Sequence, residues 1–196
     1  ACFQACTGNR HVTSVVLTAL PDQELRSALH WLQRLQNLQS LTIQQTSRSQ
    51  SLAIEPLLDL LRAHIPIPSL GRRGLLRLSV DIRITLRNFA DLDGLATALS
   101  NLCLQDVQMH LLPRCSIQNP ELDVHSILQV LASQKMRSIQ LTLGYDHNPY
   151  YKPMIRDTSI LQELLESNVV EHLLLDNFGL RDIHLAAITE SLRSNR

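Results

Sequence analysis

The chain has 196 residues and is 44% hydrophobic, which is enough apolar material for one domain with a sizeable core and excludes a disordered composition. Its 18 Lys and Arg residues balance 18 Asp and Glu residues, and only 4% of the chain is aromatic. We therefore do not expect a basic surface that binds nucleic acid or an anionic membrane. We also do not expect a set of aromatic rings that stack on bases. The sequence holds no apolar run of about 18 residues, so no membrane-spanning segment is expected in it.

Six copies of one apolar pattern recur along the chain, and each predicts a short strand. In each copy the first apolar residue is followed three positions later by a second and two positions after that by a third. The copies are Val12/Val15/Leu17, Leu38/Leu41/Ile43, Leu75/Leu78/Val80, Leu104/Val107/Met109, Met136/Ile139/Leu141 and Val170/Leu173/Leu175. Their first residues are 26, 37, 29, 32 and 34 positions apart. Such spacing indicates a repeated structural unit.

An amphipathic helix is predicted after each strand, because apolar residues recur there at spacings of three and four, which place them on one helix face. The apolar positions are Leu25, Leu29 and Leu32; Leu57, Leu58 and Leu61; Leu92, Leu95 and Leu99; Val124, Ile127, Leu128 and Leu131; Ile160, Leu161, Leu164 and Leu165; and Ile183, Ile188 and Leu192. One strand–helix unit cannot bury its own apolar face, so the six units are expected to stack around a continuous core.

The last unit, VVEHLLLDNFGLRDIHLAAITESLRSNR, resembles a leucine-rich repeat of the ribonuclease-inhibitor-like type, with Val170, Leu173, Leu175 and Leu180 on the consensus positions. The resemblance extends over about residues 11 to 196. It implies an α/β solenoid of about six irregular repeats, with a curved parallel sheet on the concave side and helices on the convex side. We expect residues 1–196 to form one such domain, as a fragment of a longer protein.

The segment DNFG, residues 176–179, is interpreted as a turn of this unit and not as a kinase motif, because the Gly-rich loop, strand Lys and His-Arg-Asp loop of a kinase are missing. Phe178 is predicted to pack beneath the turn, which Gly179 permits. The family usually places Asn or Cys where this chain has Phe178. The hydrogen-bonded Asn ladder of the family is therefore expected to be absent.

Strand alternation places one set of side chains on the predicted concave face, in three rows across the sheet. The first row is Ser14, Ser40, Arg77, Asp106, Ser138 and His172; the middle row is Val16, Thr42, Ser79, Gln108, Gln140 and Leu174; the third row is Thr18, Gln44, Asp81, His110, Thr142 and Asp176. Arg77 beside Asp106 and Asp81 beside His110 are interpreted as cross-strand ion pairs. The alternative is a hydrolase that uses the Asp81–His110 pair, for which no nucleophile elbow is present.

A Tyr-rich loop is predicted from Gly144 to Asp157. It holds all three tyrosines of the chain, which are Tyr145, Tyr150 and Tyr151. Tyrosine is a good interface anchor because it offers a large contact area at a low entropy cost. The loop is therefore a candidate contact site for a partner, although the tyrosines could instead pack over the edge of the repeats.

The sequence predicts no metal, no cofactor and no catalytic residue. Cys2, Cys6 and His11 supply only one set of ligands, whereas zinc sites usually pair two sets, and a disulfide between Cys2 and Cys6 is left open. Cys103 lies between two leucines and is expected to be buried. The remaining helix histidines, His30, His64, His125 and His184, are expected to face solvent or to be partly packed.

The function expected from the resemblance is a non-catalytic protein–protein interaction module in the cytoplasm. It would bind another protein, of unknown identity, through the concave face and the Tyr-rich loop, without contacting nucleic acid or a membrane. The expected contact residues are Tyr145, Tyr150, Tyr151, Arg77, Asp81, Asp106, His110, His172 and Asp176. The alternative is a structural spacer within a larger receptor, ubiquitin ligase or GTPase-regulating protein. The sequence does not specify the oligomeric state.

Overall fold

The computed structural model describes residues 11–44, 51–70, 74–87, 89–113, 121–134, 136–144, 152–155, 157–166 and 169–194. Along this part of the chain, each helix follows either one strand or two successive strands. The strands are β1 (Ser14–Thr18), β2 (Ser40–Gln44), β3 (Ser51–Ala53), β4 (Arg77–Leu86), β5 (Asp106–Pro113), β6 (Glu121–Asp123), β7 (Ser138–Leu143), β8 (Lys152–Met154) and β9 (His172–Asp176). The helices are α1 (Asp22–Leu32), α2 (Ile54–Ala63), α3 (Phe89–Ser100), α4 (His125–Ser133), α5 (Ser159–Glu166) and α6 (Asp182–Ser194).

The six predicted strands form one parallel sheet in the order β1-β2-β4-β5-β7-β9, with the short β3 also pairing with β4. Each of these strands after β1 therefore lies beside the strand of the preceding unit. The register aligns equivalent apolar positions, as where Leu41 pairs with Leu78 and Ile139 with Leu173. The prediction of an α/β fold with a parallel sheet is confirmed.

The core lies between one face of the sheet and the helices, which pack on one another in chain order from α1 to α6. All twelve apolar pattern residues of the four inner strands are at most 2% exposed. Those of the two end strands are less well covered: Val12, Val15, Val170, Leu173 and Leu175 are only partly buried against the core. An end strand has a neighbour on one side only, so part of its apolar surface stays accessible to solvent.

Helix α6 buries only part of the predicted face, since Ile188 packs against the core but the other two predicted residues do not. Ile183 and Leu192 are 62% and 54% exposed, whereas His184 and Ser191 are buried. The sequence pattern failed here because the apolar residues of α6 lie on both sides of the buried stripe. The Nδ1 atom of His184 accepts a hydrogen bond from the Arg181 backbone N–H at 2.8 Å, which caps the start of the helix.

Two further residues are not where the sequence analysis placed them. Cys103 is exposed, because it lies on the outer side of the turn that follows α3 while Leu102 and Leu104 are buried. His64 is buried at the end of α2, with its Nδ1 atom 2.9 Å from the Leu60 carbonyl oxygen and its Nε2 atom 3.0 Å from the Leu35 carbonyl oxygen. A polar ring is tolerated at this depth because its nitrogens lie within hydrogen-bonding distance of backbone carbonyl groups in α2 and in the turn after α1.

The predicted Tyr-rich loop contains a strand. Lys152–Met154 form β8, which pairs in parallel with β6 in a second, two-stranded sheet. Tyr145, Tyr150 and Tyr151 lie outside the described residues, as do Cys2 and Cys6. The predicted contact role of the tyrosines therefore stays a prediction.

The turn after β9 has the predicted structure. Phe178 is 1% exposed, and Gly179 has a φ of 63°, a conformation that glycine adopts without strain. Asn177 also has a φ of 63°, and its side-chain amide donates to the Leu143 carbonyl oxygen at 3.1 Å. One Asn-mediated bond between neighbouring units thus exists, one position earlier than the family pattern would place it.

Candidate functional site

The candidate site is the open face of the sheet, by which we mean the strand side chains that point away from the helices. The registers place the first and middle rows as predicted, from Ser14 on β1 to His172 on β9 and from Val16 to Leu174. Every residue of the three rows is at least partly exposed. The face is accessible because the helices of the described chain pack on the opposite side of the sheet.

The centre of the open face is held by side-chain bonds between β4 and β5. The Arg77 Nε atom lies 3.0 Å from the Asp106 Oδ2 atom, with the two side chains 62% and 37% exposed, so the predicted ion pair is confirmed. One row further along, the Ser79 hydroxyl donates to the Gln108 side-chain oxygen at 2.9 Å. These polar side chains are therefore oriented by their neighbours and presented in fixed positions.

Asp81 and His110 are in contact, although the backbone register predicted for them is wrong. Val80 pairs with Met109 and the next pair is Arg83 with His110, so β4 carries two extra residues at this point. An insertion of two residues preserves the alternation of side chains: Ile82 is buried, while Asp81 and Arg83 are both exposed on the open face. The Asp81 Oδ1 atom lies 3.3 Å from the His110 Nε2 atom.

Arg83 is a residue of the open face that the sequence analysis missed. It is exposed and is the backbone neighbour of His110, so a further basic residue lies on β4 beside the charged centre of the face. A signal was present in the sequence, because the apolar alternation on β4 continues beyond Val80 through Ile82 and Ile84, both of which are buried. This continuation indicates a strand longer than the other five.

His172 and Asp176 lie at the edge of the face, away from this centre. Both are exposed on β9, with Leu174 between them in the same orientation. Within the described chain no hydrogen bond or ion pair joins His172 or Asp176 to another side chain, whereas Arg77, Asp81, Asp106 and His110 are paired. The predicted contact residues therefore fall into a paired group on β4 and β5 and an unpaired group on β9.

Another ion pair between repeat units lies just before β7 and β9. Arg137 makes two hydrogen bonds of 3.0 Å and one of 3.2 Å to the Glu171 carboxylate, and the Glu171 backbone N–H donates to the Arg137 carbonyl oxygen at 2.8 Å. The hydrogen bond from Arg137 and its charge lower the pKa of Glu171 below its ordinary value. The same contacts raise the pKa of Arg137.

The chemistry available on the open face is that of an exposed polar surface. The side chains of His110 and Asp81 are 33% and 57% exposed, so water reaches the pair. Among the residues that the structure describes, no group of three or more His, Cys, Asp or Glu side chains could hold a metal ion. The helices in the described ranges include none that is long and apolar enough to cross a membrane.

Comparison with known proteins gives no relative for this chain: no protein-family model, no curated protein and no solved structure matches it.

Proposed function

We propose that this chain is a non-catalytic protein-interaction module, built as a leucine-rich-repeat solenoid whose concave side is the open face. The observation that carries the proposal is the exposure of a whole face of a parallel sheet, in three rows of predominantly polar side chains. The strand order and the packing of each helix on the next support the solenoid, because both follow from stacking equivalent units.

The paired centre of the open face is the proposed contact region. Arg77, Asp81, Asp106 and His110 offer two charges of each sign when the histidine is protonated, held at fixed spacing by the ion pairs between β4 and β5. Such a mixed surface discriminates between partners by the placement of charge, since an unmatched charge is costly to desolvate. The partner is accordingly proposed to be a protein with a complementary mixed-charge surface.

The edge residues His172 and Asp176 and the tyrosines Tyr145, Tyr150 and Tyr151 complete the proposed contact set. The exposure of the Asp81–His110 pair favours binding over a hydrolase, whose acid–base pair would need protection from water. A cytoplasmic location is proposed as well, and the exposed free thiol of Cys103 supports it because such thiols persist in a reducing compartment.

The proposal is tested by quantitative affinity capture with purified chain and matched variants, followed by reconstitution of each captured partner with purified components. Arg77→Ala/Asp106→Ala alters the open face, and Glu163→Ala/Glu190→Ala alters exposed positions on α5 and α6. We expect the first variant to lose a partner that the wild type and the second variant retain, with affinity reduced at least about tenfold. Equal binding by all three proteins would contradict a role for the open face. If the chain is a structural spacer, no captured protein should bind it when both are purified.

A further inference from the structure

His64 is a buried histidine whose two ring nitrogens both face backbone carbonyl groups. It is 4% exposed, and its Nδ1 and Nε2 atoms lie 2.9 Å and 3.0 Å from the carbonyl oxygens of Leu60 and Leu35. A carbonyl oxygen only accepts hydrogen bonds, so a ring nitrogen must carry a proton to bond to it. A neutral imidazole has one N–H group and would leave a lone pair facing the second carbonyl oxygen. Only the protonated ring therefore satisfies both contacts.

Both carbonyl groups lie at the C-terminal ends of helices. Leu60 belongs to the last turn of α2, and the His64 backbone N–H donates to the Leu61 carbonyl oxygen at 3.1 Å, which leaves the Leu60 oxygen to the ring. Leu35 follows α1, where its N–H donates to the Leu32 carbonyl oxygen at 3.0 Å and continues the turn of the helix. The C-terminal end of a helix carries a partial negative charge that favours a cation. Two such ends meet at this ring.

The charged side chains of the described elements around His64 are exposed to solvent. Those nearest along the chain are His30 and Arg34 on α1 and its turn, Asp59 and Arg62 on α2, and Arg77 at the start of β4. Asp59 and Arg62 lie 3.4 Å from one another and form a pair of their own. Residues 65–70, which follow α2, include no charged residue. Because solvent screens exposed charges, the carbonyl groups in direct contact with the ring dominate its electrostatic environment.

The backbone of His64 extends the contact to a third unit. Its carbonyl oxygen accepts a hydrogen bond from the Leu75 backbone N–H at 3.3 Å, just before β4. The chain packs closely there, since a Cβ atom on Gly74 would lie 2.8 Å from the same oxygen. One residue thus contacts the turn after α1, the last turn of α2 and the approach to β4. The charge of its ring is therefore placed to influence the packing of three successive units.

We infer that His64 is an imidazolium in the folded chain and acts as a pH-sensitive clasp, meaning that its ring contacts with Leu35 and Leu60 hold the first three units together. The folded chain then binds this proton more tightly than the unfolded chain. The stabilising contribution is fully present below about pH 6, where the unfolded histidine is protonated as well, and is lost as the pH rises and the folded chain releases the proton. A ring nitrogen without its proton would face a carbonyl oxygen, which leaves both groups unsatisfied. The inference goes beyond the proposed function, because it concerns the packing of the units and not the open face.

The protonation of the ring is tested by long-range proton–nitrogen NMR of the full 196-residue chain at about pH 7, where a free histidine is mostly neutral. Both ring nitrogens of His64 should carry a proton. The internal reference is His184, whose Nδ1 atom accepts the Arg181 backbone N–H and so should be unprotonated. An unprotonated nitrogen on His64 in the folded chain would overturn the inference, and this measurement needs no variant.

The contribution to stability is tested with His64→Gln and the matched control His30→Gln, at an exposed position on α1. Between about pH 6 and pH 9 the ratio of folded to unfolded chain should fall at least about tenfold more in the wild type than in His64→Gln. His30→Gln should keep the wild-type dependence within about twofold. Urea unfolding measures all three proteins, and an equal pH dependence in the wild type and His64→Gln would refute the clasp.

Hydrogen exchange locates the effect within the chain. The amides of Leu35 and Leu75 lie at the clasp, whereas the amide of Leu128, which donates to the Val124 carbonyl oxygen at 3.2 Å, lies at the start of α4. After correction for the intrinsic effect of pH, protection at Leu35 and Leu75 should fall at least about tenfold more than at Leu128 between about pH 6 and pH 9. An equal change at all three amides would show that His64 does not act locally and would contradict the clasp.

Discussion

The carboxylate of Asp81 lies 3.3 Å from the Nε2 atom of His110, beside the point where β4 departs from the regular register by two residues. The two extra residues make β4 the longest strand of the sheet and bring Arg83 onto the open face. Irregularities in strand pairing are frequent next to functional sites. The irregularity therefore coincides with the charged centre of the proposed contact region.

The contact between Asp81 and His110 is expected to contribute little to folding stability. Because both side chains are well exposed, a double-mutant cycle of Asp81→Asn and His110→Asn should give a coupling of less than about 1 kcal/mol. Urea unfolding measures it, and a coupling well above about 1 kcal/mol would contradict the view that solvent screens this exposed pair.

Two glycines are expected to respond in opposite ways to replacement by alanine. Gly74 has a φ of 72°, and a Cβ atom there would lie 2.8 Å from the His64 carbonyl oxygen, so Gly74→Ala should cost more than about 1–2 kcal/mol. Gly94 lies within α3, where a Cβ atom would meet the Leu58 side chain at an ordinary 3.5 Å. Gly94→Ala should therefore stabilise the protein by about 0.5–1 kcal/mol. Chemical denaturation compares the two variants, and destabilisation by both would show that α3 cannot accept the added methyl group.

The buried ring of Phe178 is expected to stabilise the last unit. Phe178→Ala leaves a cavity beneath the turn and should lower the free energy of unfolding by about 3–5 kcal/mol. The control is Val16→Ala, at a position that is 58% exposed and where we expect a change within about 0.5 kcal/mol. Thermal and urea unfolding measure both variants. A loss of under about 1 kcal/mol for Phe178→Ala would mean that the turn is not part of the cooperative unit.

The Arg137–Glu171 pair should make the free energy of unfolding depend on pH in the acid range. Its hydrogen bonds lower the pKa of Glu171 from the ordinary 4.5, so the stabilising contribution is fully present above that value and is lost as the pH falls through the lowered one. Arg137→Met should return the pKa of Glu171 towards its ordinary value and remove this dependence. Carboxyl NMR titration of Glu171 in both proteins measures the change. If the pKa of Glu171 is the same in the variant as in the wild type, something other than Arg137 lowers it.

The repeat and the first and middle rows of the open face could be predicted from the amino-acid sequence alone, whereas the register of the third row could not, because β4 carries two extra residues. Side chains alternate between the two faces of a strand, and the apolar residues have the same spacing in each unit. Because the apolar side is buried, equivalent residues of neighbouring strands must pair with one another. That is why the row from Ser14 to His172 was predicted across six strands, and why Phe178 and Gly179 were correctly assigned to a turn.

Features that depend on what lies beside each element became apparent only in the folded chain. The insertion at Asp81 and Ile82 breaks the spacing on one strand only, so a pattern shared by all units cannot show it. His64 is buried because the turn after α1 reaches it from 29 residues away, and helical periodicity contains no such contact. The exposed side of α6 arises because α5 is its only neighbouring helix in the described chain. The apolar pattern of a helix indicates how much of its surface can be buried. The neighbouring elements determine which side of the helix is buried.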